Sequence, residues 1–361
     1  MNIRISLVAA SLFVGTALFA DSANIADALK NGKISGEFGI YAEQNSTKNS
    51  DDGGYGSGSF DLGFTTDALY GFRLDVGSRA NHAFWEVDGG EYNSDTKAIL
   101  HTANIGYSNE YFDVVFGRQV IELIWMEDFH EALVGVIKTV PNTDIVIGYS
   151  QRRAVADFDR PLEGFARLGD SGAFVADAKW RGISGLVVNP FLYYANDVAA
   201  WAGAKVDYDR EFATFSLGGT AEYTQSDEDR GSDGSFLRLE ARGVFKDIGA
   251  KVGFIQTDKN GGAGNITAAG ENLNLFEDGD QVFKADAQTF YIGANGKWRQ
   301  FTFGGILGNT EYAGGKLREI DITAAYELTN NLNISAAFIN GNGNGNSDDY
   351  NKVTAGVVYS F

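Results

Sequence analysis

The residues with chemical potential in this sequence are charged side chains spaced two apart. Arg238, Glu240 and Arg242 alternate with Leu237, Leu239 and Ala241, and Arg73 and Asp75 repeat the arrangement earlier. That spacing puts each set on one face of an extended strand. Glu122, Glu127, Asp128 and Glu131 form an acidic run, and Arg152 and Arg153 follow it. The chemistry on offer is electrostatic. Guanidinium groups on one wall of an aqueous passage, facing carboxylates on another, set up a transverse field that orients dipolar solutes and sorts ions. Arg73, Arg238 and Arg242 are the candidates for the basic wall. If the stretch from Gln119 to Glu131 folds into the passage, its four carboxylates supply the acidic side. The stretch from Arg152 to Ser171, with Arg152, Arg153, Arg160 and Arg167, is a second segment expected to dip inward.

Covalent and metal chemistry find little footing. The chain has 3 His and 0 Cys, which leaves no thiolate metal site and no disulfide framework. His82, His101 and His130 show no serine–histidine–acid spacing, although such triads assemble in space rather than in sequence. Asp51-Asp52-Gly53-Gly54, Asp227-Glu228-Asp229 and Asp278-Gly279-Asp280 lack calcium-loop spacing and read as solvated loops. Gly54-Tyr55-Gly56-Ser57-Gly58 has no helix pattern behind it to make a phosphate cradle, and Gly341 to Asn346 reads as a flexible connection. The formal charge of -19 argues against nucleic acid as a partner, because polyanions repel. No catalytic residue, metal or cofactor is assigned.

What must position the charges is period-two alternation that hardly stops. Ile34, Gly36, Phe38, Ile40 and Ala42 oppose Lys33, Ser35, Glu37, Tyr41 and Glu43. Phe60, Leu62 and Phe64 form another set, as do Tyr70, Phe72, Leu74 and Val76, and the last is Val353, Ala355, Val357, Tyr359 and Phe361. About 18 such segments are read, with 16 as the alternative count, most of a length that crosses a hydrocarbon layer when tilted. The polar member of each alternation then faces inward. Glu37, Asp61, Asp75, Asp113, Lys138, Asp177, Lys179, Lys205, Asp207, Lys251, Lys297, Glu319 and Asp321 join the arginines there.

The connections alternate in length. Tight turns are expected near Asp67-Ala68, Ser108-Asn109, Pro141-Asn142, Arg181-Gly182, Asp209-Arg210, Lys246-Asp247, Arg299-Gln300 and Asn330-Asn331. Mostly longer connections lie between them: Asn45 to Gly56, Arg79 to Lys97, Gln119 to Glu131, Arg152 to Ser171, Gln225 to Gly234, Lys259 to Ala285, Asn309 to Gly315 and Asn340 to Asp349. Near Asn196-Asp197 the long side is short. Tyr70, Tyr107, Trp180, Tyr208, Phe245, Trp298 and Tyr326 sit at or close to the tight turns, as an interfacial aromatic girdle would.

The start of the chain gives the compartment. Met1 to Ser6 carries one cation, Arg4, an apolar stretch runs from Leu7 to Phe19, and Ala17-Leu18-Phe19-Ala20 precedes the polar Asp21-Ser22. This is the order of a secretory signal peptide, with cleavage expected after Ala20. The mature chain, residues 21–361, is read as a single domain. Beyond residue 20 no apolar run is long enough for a membrane-spanning helix. A mean hydropathy of -0.18 suits a barrel that alternates greasy and wet positions. Only 3 of 361 residues are Pro, as a chain of paired strands requires. So many half-apolar strands would leave exposed edges in a sandwich, whereas one closed barrel has none.

The chain ends Val357-Val358-Tyr359-Ser360-Phe361, and a terminal Phe on an alternating strand resembles the signal read by the barrel-assembly machinery of Gram-negative outer membranes. Ala26 to Glu37 resembles the start of mature OprD-type (Opr family) porins, especially those of epsilonproteobacteria. Val115-Phe116-Gly117-Arg118-Gln119 resembles that family's Gly-Arg-Gln motif at a strand end, which makes Arg118 a candidate near the constriction. Val120-Ile121-Glu122-Leu123 lacks the family's Thr-Pro step and basic loop residue, so its basic amino-acid specificity is not carried over. The resemblance implies loops that narrow the channel, a homotrimer, outer-membrane lipids around the barrel and the assembly machinery as a partner at Phe361.

The expectation is an all-β, closed antiparallel transmembrane β-barrel acting as a porin for small hydrophilic solutes and ions, with a preference for cations. An outer-membrane barrel enzyme of lipase or protease type, and a non-conducting adhesin or structural barrel, are the alternatives. Conductance and ester hydrolysis separate the three.

Overall fold

The computed structural model describes residues 22–48, 51–273, 275–345 and 349–361. The export segment read at residues 1–20 lies outside them. The described chain opens with α1 (Ile25–Lys30). The side chain of Asn24 accepts a hydrogen bond from the Asp27 amide at 3.0 Å and so caps the helix. Ser22 Oγ donates to Asp67 at 2.7 Å, and the Asp67 amide donates to Ala28 O at 3.0 Å. The lead-in is thereby pinned to the first tight turn.

The wall begins with β1 (Lys33–Thr47), β2 (Gly53–Thr65), β3 (Phe72–Glu86), β4 (Ala98–Ser108), β5 (Phe112–Leu123) and β6 (Met126–Ile137). β7 (Thr143–Val155) has two successive partners on one side, the short β8 (Glu163–Arg167) and then β9 (Ala173–Ile183). It continues through β10 (Leu186–Ala195), β11 (Ala199–Glu211), β12 (Phe215–Glu228), β13 (Gly234–Phe245) and β14 (Ile248–Thr257). β15 (Gln288–Trp298), β16 (Phe301–Tyr312), β17 (Gly315–Thr329), β18 (Leu332–Gly345) and β19 (Tyr350–Ser360) complete it. β1 pairs with both β2 and β19, so that Glu37 lies opposite Asp61 on one side and Ser360 on the other. With β8 set aside, 18 of the 19 strands close on themselves, all antiparallel. Closure pairs the backbone groups without exposing an edge, the condition for crossing a bilayer with strands.

The apolar member of each alternation points out. Phe38, Phe60, Phe116, Ile147, Ile322 and Val353 are exposed, and Phe290 is exposed to 63%. Aromatic and β-branched side chains left bare around a whole ring make sense facing lipid. The buried apolar residues are instead inside the barrel.

Four expectations need correction. Arg181-Gly182 and Asp209-Arg210 are not turns, because the ladders run on to Ile183 and Glu211 and reverse at 184–185 and 212–214. Arg79 is no loop residue, since β3 extends to Glu86. Gln119 to Glu131 is not a loop either. β5 and β6 pair without a break to Leu123 and Met126, and the reversal takes only Ile124 and Trp125. The ladder between Asn309 and Gly315 likewise turns within two residues, Ala313 and Gly314.

Candidate pore constriction

Three segments enter the barrel from the rim opposite the tight turns. The first is the tip of the β5–β6 hairpin. Ile121, Leu123 and Met126 are buried there, and Trp125 is 1% exposed. Trp125 Nε1 donates to Thr224 Oγ1 of β12 at 3.1 Å, and its ring meets Phe236 of β13 edge-on at 5.3 Å. A hairpin from one side of the barrel is thus locked to the facing wall. Trp125→Phe, which keeps the packing and removes the donor, is expected to cost about 1 kcal/mol of this contact. The check is noisier single-channel current with unchanged mean conductance.

The second segment joins β7 to β8. Its backbone carbonyls are taken by wall side chains: Tyr55 Oη donates to Asp159 O at 3.0 Å, and Asn81 Nδ2 to Asp157 O at 2.8 Å. Ser94 Oγ donates to Leu162 O at 2.6 Å. Phe158 meets Tyr41 edge-on and rests on Gly39, where a Cβ would sit 2.9 Å from its own. The glycine on the inner face of β1 is the space the phenyl ring needs.

The third and longest segment runs from Asp258 to Ala287. It starts on an Asp turn in which the Gly261 and Asn260 amides hold the Asp258 carboxyl below the usual range. Ala263, Ile266 and Ala269 are fully buried against the hairpin tip, and Asn272 N donates to Ile124 O at 3.1 Å. A backbone drawn into a barrel must find partners for its amides. Carboxylates of β17 provide them: Asp321 accepts from Glu277 N at 2.9 Å and Glu319 from Asp278 N at 3.1 Å. Lys352 of β19 then grips Asp278 at 3.1 Å and lies 3.6 Å from Glu43 of β1.

The charged residues singled out from the sequence fall into separate groups. Arg238 pairs with Glu240 at 2.9 Å, and Tyr291 Oη donates to the same carboxylate at 2.8 Å. Arg242 pairs with Asp209 at 2.6 Å and lies 3.6 and 3.7 Å from Asp207 and Glu240. Lys205 is 3.4 Å from Asp207. Arginines and carboxylates are therefore interleaved on one wall, which corrects the expectation of a basic wall opposed to an acidic one. Arg73 sits near the start of β3, at the tight-turn rim, 3.2 Å from Asp75. Arg118 is paired with Glu131 at 2.8 Å and stacked on Phe165, with Arg152 3.7 Å from the same carboxylate. The ladder sets Arg118 and Glu131 on the face opposite the buried pair Gln119 and His130. Arg153 is paired with Asp128 and donates to Glu127 O at 3.3 Å. Glu122 remains exposed on the hairpin.

The sequence reading missed Trp125, Lys352 and Arg79. Arg79 is 2% exposed and lies 2.9 Å from Glu37, 3.3 Å from Asp61 and 2.7 Å from Ser59 Oγ. His101 Nε2 shares Asp61 at 2.7 Å. His130 is fully buried between Ser150 Oγ at 2.8 Å and Glu127 O at 2.9 Å. His101 Nδ1 also lies 2.9 Å from Thr102 Oγ1, so the ring is held between a hydroxyl and the Asp61 carboxylate.

Residues 15–224 match the family described as "Putative outer membrane protein". No curated protein matches the sequence. Among solved structures, the chain is similar to OccAB4 of Acinetobacter baumannii, with a TM-score of 0.77 at 11% identity over 93% of this chain and 99% of that one. It is similar to Pseudomonas aeruginosa OpdK, solved with vanillate, with a TM-score of 0.78 at 13% identity over 92% and 99%. OccK8 (OprE) of the same organism gives 0.76 at 10% identity over 93% and 99%. At such identities the shared property is the fold: the closed barrel.

Proposed function

The chain belongs to this outer-membrane protein family, and from that premise we propose that it is a passive diffusion channel for small hydrophilic solutes and ions, with a preference for cations. A barrel of this size leaves an aqueous lumen unless something fills it. The observation that carries the ion preference is the charge of the three inserted segments. The hairpin tip brings Glu122, Glu127 and Asp128 and no cation. Residues 156–162 bring Asp157 and Asp159 against Arg160. Residues 258–287 bring Asp258, Glu271, Glu277, Asp278, Asp280 and Asp286 against Lys259 and Lys284. Each is net acidic, and the wall arginines behind them already have carboxylate partners. An acidic narrowing admits cations over anions.

A KCl gradient across a planar bilayer tests this. The reversal potential should report cation preference at about 0.1 M salt and lose most of it at about 1 M, where the screening length falls from roughly 10 to 3 Å. The double variant Glu122→Gln/Asp280→Asn should move the potential toward zero. An anion-selective potential would instead favour a second reading, in which Arg238, Arg242, Lys205 and Lys251 draw carboxylate solutes. The vanillate in the OpdK structure, itself a carboxylate, motivates that comparison.

Assembly fits the same reading. Phe361 donates its amide to Gly36 O at 3.0 Å, beside the strand that closes the ring, and its side chain stays exposed. We assign it as the element presented to the barrel-assembly machinery. Phe361→Ala should lower the amount of folded barrel in the outer membrane without altering the conductance of the channels that do assemble.

A further inference from the structure

On the outward face of β11–β18 the wall is sunk into a trough. Three depressions of about 730, 650 and 860 Å³ adjoin there and share Val252. The cause is local: Ala241, Gly243, Ala250, Ala294 and Gly305 occupy outward positions that elsewhere carry Phe, Leu or Ile. Along the trough the chemistry changes with height. At the end away from the tight turns the lining is Asn309, Lys316, Arg318, Asn342 and Asn344. The ladder places Arg318 directly between Asn309 and Asn342, and Lys316 between Glu311 and Asn344. One step down the same face come Leu307, Ile320 and Asn340, and the next brings Gly305, Ile322 and Phe338. That step from amides and cations to hydrocarbon marks the outer boundary of the membrane.

Lys316 shares its charge with Glu311 at 3.1 Å. Arg318 is exposed and, among the described residues, has no carboxylate partner. A free guanidinium at the depth of lipid headgroups is complementary to phosphate, which it can bind through two parallel hydrogen bonds. The three amides beside it can donate to and accept from sugar hydroxyls. Below them, missing side-chain volume leaves room for a hydrocarbon chain. A second barrel fits the trough poorly, since two convex walls would not fill it and Arg318 would be buried unpaired. We propose that this trough is a binding site for one phosphorylated glycolipid of the outer leaflet, with its phosphate on Arg318 and Lys316, its sugar on the asparagines and an acyl chain along the Ala294–Gly305 floor. The proposal rests on the membrane placement of the barrel and not on transport.

Native mass spectrometry of the detergent-purified full chain tests it, using a diphosphorylated lipid A, its dephosphorylated form and phosphatidylglycerol as probes. The wild type should retain diphosphorylated lipid A over both others. Arg318→Glu should weaken retention about tenfold or more, the change expected when a charge-assisted hydrogen bond is replaced by repulsion. Heat-modifiable migration and single-channel conductance should stay unchanged in that variant. Equal retention by Arg318→Glu, or equal retention of dephosphorylated lipid, overturns the site. Preference for phosphatidylglycerol overturns the glycolipid assignment. An oligomer that dissociates on Arg318→Glu shows the trough to be a subunit interface and overturns it too. A loss of conductance with lipid retention intact would count against the channel reading alone.

Discussion

Replacing residues 260–284 by a short Gly/Ser turn is expected to raise single-channel conductance severalfold and to weaken ion selectivity. This segment is the largest body inside the barrel. Ile266 and Ala269 are buried against the hairpin tip, and its far end is moored on Glu319, Asp321 and Lys352. The wall does not depend on it, because β14 and β15 pair directly from Ile248 and Gly296 up to Gln256 and Gln288. The excision therefore removes filling and leaves the ladder, and an unfilled barrel of this strand number is a wide aqueous pore. Heat-modifiable migration checks that the barrel still forms. Conductance unchanged from the wild type would mean that the current is limited elsewhere, at the hairpin tip or at residues 156–162.

Arg79→Met is expected to destabilise the barrel by about 3–5 kcal/mol, the cost of stranding buried charge. The guanidinium lies among Glu37, Asp61, Ser59 and, through Asp61, His101. Without it Glu37 and Asp61, opposite each other on β1 and β2, become two carboxylates with no cation between them. The triple variant Arg79→Met/Glu37→Gln/Asp61→Asn should recover most of the loss, since it removes the stranded charges with their partner. Urea unfolding in lipid vesicles measures both. A fall of less than about 1 kcal/mol for Arg79→Met, the value typical of a solvated pair, would show that water reaches the cluster and that it does not tie β1, β2 and β3 together.

The wall was legible because its signal is local. Strand alternation repeats every second residue, and a one-residue error would turn Phe38 or Val353 toward water, so the number of strands and the lipid face could be read directly. The turns after β9 and β11 were misplaced for a local reason too. Arg181-Gly182 and Asp209-Arg210 have turn composition, yet they belong to strand ends that extend past the lipid zone, where polar outward residues cost nothing. The hairpin tip was taken for a loop because of its carboxylates, although a strand bordering an aqueous interior carries charge without penalty.

What the sequence hid is held by distant partners. Residues 258–287 have no periodicity, and their position depends on Glu319, Asp321 and Lys352, far along the chain. A partial signal did exist: the glycines on inward strand faces. Gly308 leaves the room in which Phe276 lies, where a Cβ would come within 2.1 Å of the ring. The pairing of Arg238 with Glu240 and of Arg242 with Asp209 was not legible, because alternation reports which face a charge occupies and not what stands beside it across the ladder.

The most direct test of a water-filled barrel is the insertion record of the purified protein in a planar bilayer. Discrete, ohmic current steps are expected, with step size increased by excision of residues 260–284. Bilayers that stay silent with correctly folded wild type, and equally silent with the excised variant, would contradict it.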